Sequence, residues 1–176
     1  QYKEPKHVIA STLTALSSCD ARMWVILGCE AHDETLAKHE AQYVADYGEN
    51  FERFIISKHT LEKNELAGKH SNNQCMLRLL RNELKTEVSI DWNDVFVTVI
   101  DADTVLSPSY FCAVEQDAAG LSDDRRSRTL WQSPIVVRNI HESSVSTRHT
   151  VNIQTIWQFA FISTCWARMT LSSYTL

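Results

Sequence analysis

The segment Val95-Phe96-Val97-Thr98-Val99-Ile100 is almost wholly apolar, β-branched nearly throughout, and lacks any helical period. A run of that kind reads as a strand buried on both faces, the kind found in parallel α/β sheets. It ends abruptly in two carboxylates one residue apart, Asp101 and Asp103, separated by the small Ala102. Ligands of open α/β sheets bind just beyond the carboxyl ends of the strands. Two acids at that place suit a divalent metal held against a phosphorylated substrate. An Asp-x-Asp triplet alone is common; the apolar run before it makes this one informative.

The chain has 176 residues, the size of one domain, and is 44% hydrophobic, which supports a packed core rather than disorder. Net charge is -5 and no Lys/Arg cluster stands out, so nucleic-acid binding is disfavoured. Only four glycines are present, and no glycine-rich phosphate loop or dinucleotide fingerprint can be drawn from them. The five cysteines, Cys19, Cys29, Cys75, Cys112 and Cys165, show no CxxC spacing and read as small core residues of a reducing compartment. The seven histidines show no zinc-hydrolase spacing. No signal peptide is visible. The longest apolar segment, 153–166, is broken by Gln154, Gln158 and Ser163 and reads as a buried or interfacial helix. The sequence opens at Gln1-Tyr2 without an initiator methionine and stops in a Ser/Thr/Tyr-rich stretch, so it reads as an excerpt, incomplete at both ends.

Helical and extended patterns alternate along the chain. Pro5 opens an amphipathic helix through Val8, Ile9, Leu13 and Leu16. Met23 to Leu27 is a strand with Gly28 as the turn after it, and Asp33 caps a helix to Tyr47 with Leu36, Tyr43, Val44 and Tyr47 inward. Phe54-Ile55-Ile56 is a second strand. A turn at Ala67-Gly68 leads into a helix bearing Met76, Leu77, Leu79, Leu80 and Leu84. After the acidic pair, Pro108 opens a helix through Tyr110, Phe111, Val114 and Ala118. Residues 122–128 form a surface loop, Trp131 and Ile135 to Val137 a further strand, and 153–167 a last helix. The alternation predicts one doubly wound α/β domain over 1–176.

Four landmarks in this order resemble glycosyltransferase family 2, in particular its cellulose, chitin and hyaluronan synthases. They are Tyr2-Lys3-Glu4-Pro5, Gly68-Lys69-His70-Ser71-Asn72, Val99-Ile100-Asp101-Ala102-Asp103 and Trp131-Gln132-Ser133-Pro134. The resemblance implies a GT-A nucleotide-diphospho-sugar transferase fold, a Rossmann-like and mostly parallel sheet with flanking helices. It implies that Asp101 and Asp103 are the metal-binding DxD, holding Mg2+ or Mn2+ on the donor diphosphate. Tyr2 and Glu30 or Asp33 would then face the nucleotide base, and Lys69 the diphosphate, although Gln74 stands where the family carries asparagine. Gln132, with Ser133, Pro134 and Asn139, would line the sugar and acceptor side.

The implied partners are a nucleotide-sugar donor, most simply a UDP-sugar, and a glycan acceptor. The implied parent is a membrane protein with a cytosol-facing catalytic domain, whereas this segment itself looks soluble. The family's general base is expected beyond Leu176. Two other readings compete. Asp101-Ala102-Asp103-Thr104-Val105-Leu106 also resembles the first motif of haloacid-dehalogenase-type phosphatases, with Asp101 as nucleophile. A non-catalytic α/β fragment is the plainer alternative.

Overall fold

The computed structural model of the chain describes residues 6–19, 21–31, 34–63, 65–87, 90–91, 94–132, 136–137, 140–164 and 174–175. The architecture is α/β, with a small parallel sheet of two strands and a second, antiparallel pair. The chain divides into two compact units, residues 1–95 with 102–123 and residues 96–101 with 124–176.

In the first unit, Trp24–Glu30 (β1) and Arg53–His59 (β2) lie parallel and in register, from Trp24 opposite Arg53 to Glu30 opposite His59. Both carry the aliphatic and aromatic residues that fit a pleated, half-buried surface. Parallel strands cannot be joined by a tight hairpin. The helix Glu34–Tyr47 (α2) makes the crossover, and Tyr43 on it is the most deeply buried aromatic side chain among the described residues, 1% exposed. Burial pushes the Tyr43 phenol above its ordinary value, with a smaller push from Tyr47.

The helix Lys6–Ser17 (α1) buries Ile9, Thr12, Leu13 and Leu16, a one-sided stripe at helical spacing. It meets α2 through the Tyr47 hydroxyl, which lies 3.2 Å from the Ala10 carbonyl and 3.1 Å from Thr14 Oγ1. The helix Lys69–Thr86 (α3) packs on both strands. Its far end is tied down by Arg53, whose guanidinium lies 2.5 Å from Glu83 and 2.7 Å from Glu87 and sits 4.7 Å above the Trp24 ring. The helix Tyr110–Ala119 (α4) buries Val114 and Ala118, one turn apart.

In the second unit, Thr98–Val99 (β3) pairs antiparallel with Tyr174–Thr175 (β4), and Trp131 bridges to Thr175 through two 2.9 Å backbone bonds. The Phe96 ring meets Trp131 edge-on, with centroids 5.6 Å apart. A short helix, Asp123–Arg126 (α5), spans the boundary between the units. The helix Val145–Thr164 (α6) follows, its first turn capped by Ser144 Oγ, which accepts the Thr147 N–H at 3.3 Å.

Several sequence expectations are corrected by this arrangement. The run 95–100 is half-buried rather than buried on both faces, and only two of its residues form a strand, paired antiparallel rather than within a parallel sheet. Gly28 is no turn: it lies inside β1, where a Cβ would come 2.3 Å from Met76 Sδ, so its bare backbone admits the α3 side chain. Val44 and Leu77 point outward from α2 and α3, and Cys112 is exposed. Residues 123–126 are helical, Trp131 makes a single bridge, and Val136 and Val137 are in no strand. The last helix begins eight residues earlier than its apolar part, at Val145, and exposes Ile153, Ile156, Trp157 and Phe159 while burying Gln158. Pro5, Ile135, Cys165 and the side chain of Leu36 lie outside the described residues. Among the described residues no helix is long and apolar enough to cross a membrane.

The α2 packing gives a direct test. Tyr43→Ala should lower the unfolding free energy by about 3 kcal/mol in urea titration, as deletion of a buried aromatic side chain does. Tyr43→Phe should cost far less, because the Tyr43 hydroxyl only reaches 3.5 Å from the Lys6 carbonyl.

Candidate functional site at the carboxyl edge of the parallel strands

Because β1 and β2 are parallel and in register, they finish level, and their last residues Glu30 and His59 stand side by side. Residues aligned in this way project to the same face of a sheet. The Glu30 side chain is 10% exposed and that of His59 6%, and Glu30 Oε2 lies 3.5 Å from His59 Nδ1. The ladder runs one residue further, the Ala31 N–H donating to the His59 carbonyl at 2.7 Å.

From the other side of the ring, Glu65 Oε2 approaches His59 Nε2 to 3.1 Å. Glu65 belongs to the segment 60–68 that carries the chain from this edge to α3. Its carboxylate also accepts the Glu62 N–H at 2.9 Å, while its own N–H donates to the Glu62 carbonyl at 3.1 Å. The Glu62 N–H bond, outweighing the opposing cost of burial, and His59 beside it hold the Glu65 carboxyl below the usual glutamate range, with a smaller contribution from Arg78. Lys58, the neighbour of His59 on the opposite face of β2, pairs with Glu40 of α2 at 2.5 Å, which raises its ammonium above the ordinary lysine value.

The segment ends at Lys69, the first residue of α3 and exposed. Ser71 is buried, and its hydroxyl lies 2.9 Å from both the Leu66 and Gly68 carbonyls, which fixes the turn into the helix. A lysine at a helix N-terminus, where free N–H groups and the dipole favour negative charge, is suited to an anion. Asn72 Oδ1, one residue on from Ser71, is buried without a hydrogen-bond partner among the described residues.

The acidic pair is divided between the two units, Asp101 in the second and Asp103 in the first. Asp103 is exposed on the turn formed with Ala102, and Asp101 is half-buried. The turn is anchored from α1: the buried Thr12 hydroxyl donates to the Ala102 carbonyl at 2.7 Å. Gln132, in the second unit, is half-buried with Nε2 unpartnered among the described residues. Tyr2, Asp33, Ser133, Pro134 and Asn139 lie outside the described residues. Among the described residues, no three His, Cys, Asp or Glu side chains converge as a metal cage.

The structure thus joins Glu30 to two residues that sequence reasoning missed, His59 and Glu65. The signal was faint but present. The two apolar strands each end in a titratable residue, and only the parallel register turns those two ends into neighbours. The chain matches no protein-family model, no curated protein and no solved structure.

Two measurements probe this geometry. Thr12→Val should destabilise the fold by about 1 kcal/mol in chemical denaturation, the Ala102 carbonyl losing its donor while shape is kept. Glu65 is favoured as a carboxylate by the fold, so its contribution is present above the unfolded value of about 4.3 and is lost as pH falls through the lower folded value. Melting temperature followed across that acid window should fall more steeply for the native chain than for Glu65→Gln.

Proposed function

We propose that this chain binds a nucleotide-diphosphate sugar as the donor-side part of a GT-A, family 2-like inverting glycosyltransferase. The observation that carries the reading is the carboxyl edge of β1 and β2, where Glu30 stands beside His59 and the connection runs straight into the Lys69-led start of α3. Ligand sites of open α/β sheets lie at this kind of edge. In this reading Glu30, with Tyr2 and Asp33, serves the nucleoside, and Lys69 serves the diphosphate. Gln132 serves the sugar and acceptor side.

Asp101 and Asp103 are the carboxylates for Mg2+ or Mn2+. The donor set fits: hard carboxylate oxygens suit these cations, which take one or two protein carboxylates and complete their shell with water and substrate phosphates. Asp103 is exposed on a turn whose backbone Thr12 holds. The metal supplies charge neutralisation at the departing diphosphate. In the transfer, an acceptor hydroxyl attacks the anomeric carbon and the bond from that carbon to the diphosphate oxygen breaks. The hydroxyl proton goes to the family's general base, a role that none of these residues fills, so binding rather than turnover is the assay. The parent's membrane location belongs to the same proposal.

Isothermal calorimetry with UDP tests it. The expected result is binding that requires Mn2+ and weakens at least about tenfold, or about 1.4 kcal/mol, in Asp103→Ala. UDP binding of equal strength without metal, or unchanged by Asp103→Ala, would sink the assignment of the acidic pair.

A further inference from the structure

The His59 ring has a carboxylate at each nitrogen, Glu30 from β1 at 3.5 Å and Glu65 from the segment 60–68 at 3.1 Å. A neutral imidazole has one N–H and satisfies one of them; an imidazolium has two. Among the described residues, His59 Nδ1 and Glu30 Oε2 have no hydrogen-bond partner, although both atoms are buried. With the ring's single proton on the Glu65 side, two lone pairs face each other across 3.5 Å in a site sheltered from water. One added proton converts that unfavourable contact into a charge-assisted hydrogen bond.

We propose that His59 is a proton-operated latch and the positioning residue of this edge: when protonated it clamps Glu30 to Glu65, which fixes the segment 60–68 and with it the start of α3. Among the described residues, the charged groups around the ring are few. Glu30 faces it from β1 and Glu65 from the connecting segment. Arg78 of α3 stands behind Glu65, with Nη1 4.0 Å from Glu62. Lys58 is engaged by Glu40 of α2 on the opposite face of the strand. The Glu65 carboxyl is held below the usual glutamate range, so the latch keeps its second carboxylate when the ring takes up its proton. Loss of the proton at higher pH drops the Glu30 contact and reduces the Glu65 contact from a charge-assisted hydrogen bond to a neutral-donor one, which loosens the segment.

A consequence for the nucleotide rests on the donor-site reading above: Lys69, delivered by this segment, should hold the diphosphate better with the latch closed. The test has two arms so that the two ideas fail separately. The first reads the latch without any nucleotide, by amide hydrogen-exchange protection of the Glu62 N–H, which Glu65 holds. Protection compared at two pH values on either side of the His59 ring titration, followed by NMR in the same sample, should fall about tenfold from the lower to the higher, with a midpoint matching that titration. His59→Gln, which takes up no proton there, should show no such step. The NMR midpoint keeps the test decisive if that variant fails to fold. Ring titration without a matching change in Glu62 protection overturns the proposal.

The second arm measures UDP affinity with Mn2+ at the same two pH values in native and His59→Gln protein. Greater weakening of the native protein at the higher pH supports the link to Lys69. A pH response equal in the two proteins overturns that link, and a working latch in a protein that binds no UDP refutes the donor-site reading alone.

Discussion

The parallel register of β1 and β2 is the constraint on which the first unit depends. Seven aligned residue pairs, from Trp24 with Arg53 to Glu30 with His59, fix both ends of the sheet at once. At the amino end, Arg53 uses that position to reach Glu83 and Glu87 and to cover Trp24, which anchors the C-terminal part of α3. At the carboxyl end, the same register leaves a carboxylate and an imidazole level with each other. Between them, Met76 of α3 settles onto the bare backbone of Gly28. A slip of one residue would turn each side chain of the shifted strand to the opposite face. The packing of α3 and the chemistry of the edge are therefore set by a single alignment.

That alignment also brings two buried ionisable groups together, Glu30 Oε2 and His59 Nδ1 lying 3.5 Å apart with no hydrogen-bond partner among the described residues. Glu30 and His59 are costly to remove from water unless each is matched. Glu65 arrives from a segment closed on itself by the reciprocal Glu62 and Glu65 bonds, so its carboxylate is presented with little freedom to wander. An edge built this way is preorganised by its neighbours rather than by length of side chain. Thr12 does the same for the acidic turn, reaching from α1 to hold a backbone oxygen rather than either carboxylate.

Local pattern carried much of the fold. The stripe Ile9, Leu13 and Leu16, the cores of β1 and β2, the body of α2 with Tyr43, the Gly68 entry to α3 and the Val114–Ala118 face of α4 were all readable from spacing. What failed was what spacing does not encode. The apolarity of 95–100 says that the run wants partners but not which ones, and its partner lies near the far end of the chain. Gly28 looks like punctuation until Met76 is placed against it. The first two turns of α6 are polar, so its start is marked only by the Ser144 cap and not by hydrophobic period. Of the candidate site, Glu30 and Lys69 were legible as residues at strand and helix ends. His59 acquires meaning only through its register with Glu30, and Glu65 only through the fold of 60–68.

The β3–β4 pairing has a consequence for how the chain comes to be folded. Glu30 and His59 are close in sequence, joined through α2, whereas the Thr98 and Thr175 hydroxyls that meet at 2.9 Å are 77 residues apart. Closing the longer loop costs more entropy, about 0.6 kcal/mol for each doubling of length, and must wait until Thr175 has been made. Throughout that interval Phe96-Val97-Thr98-Val99-Ile100 is an uncharged, β-branched segment with unpaired backbone groups, the composition that nucleates cross-β association. The charges of Asp101 and Asp103, set directly after that run, oppose such association, as charges flanking a hydrophobic strand do.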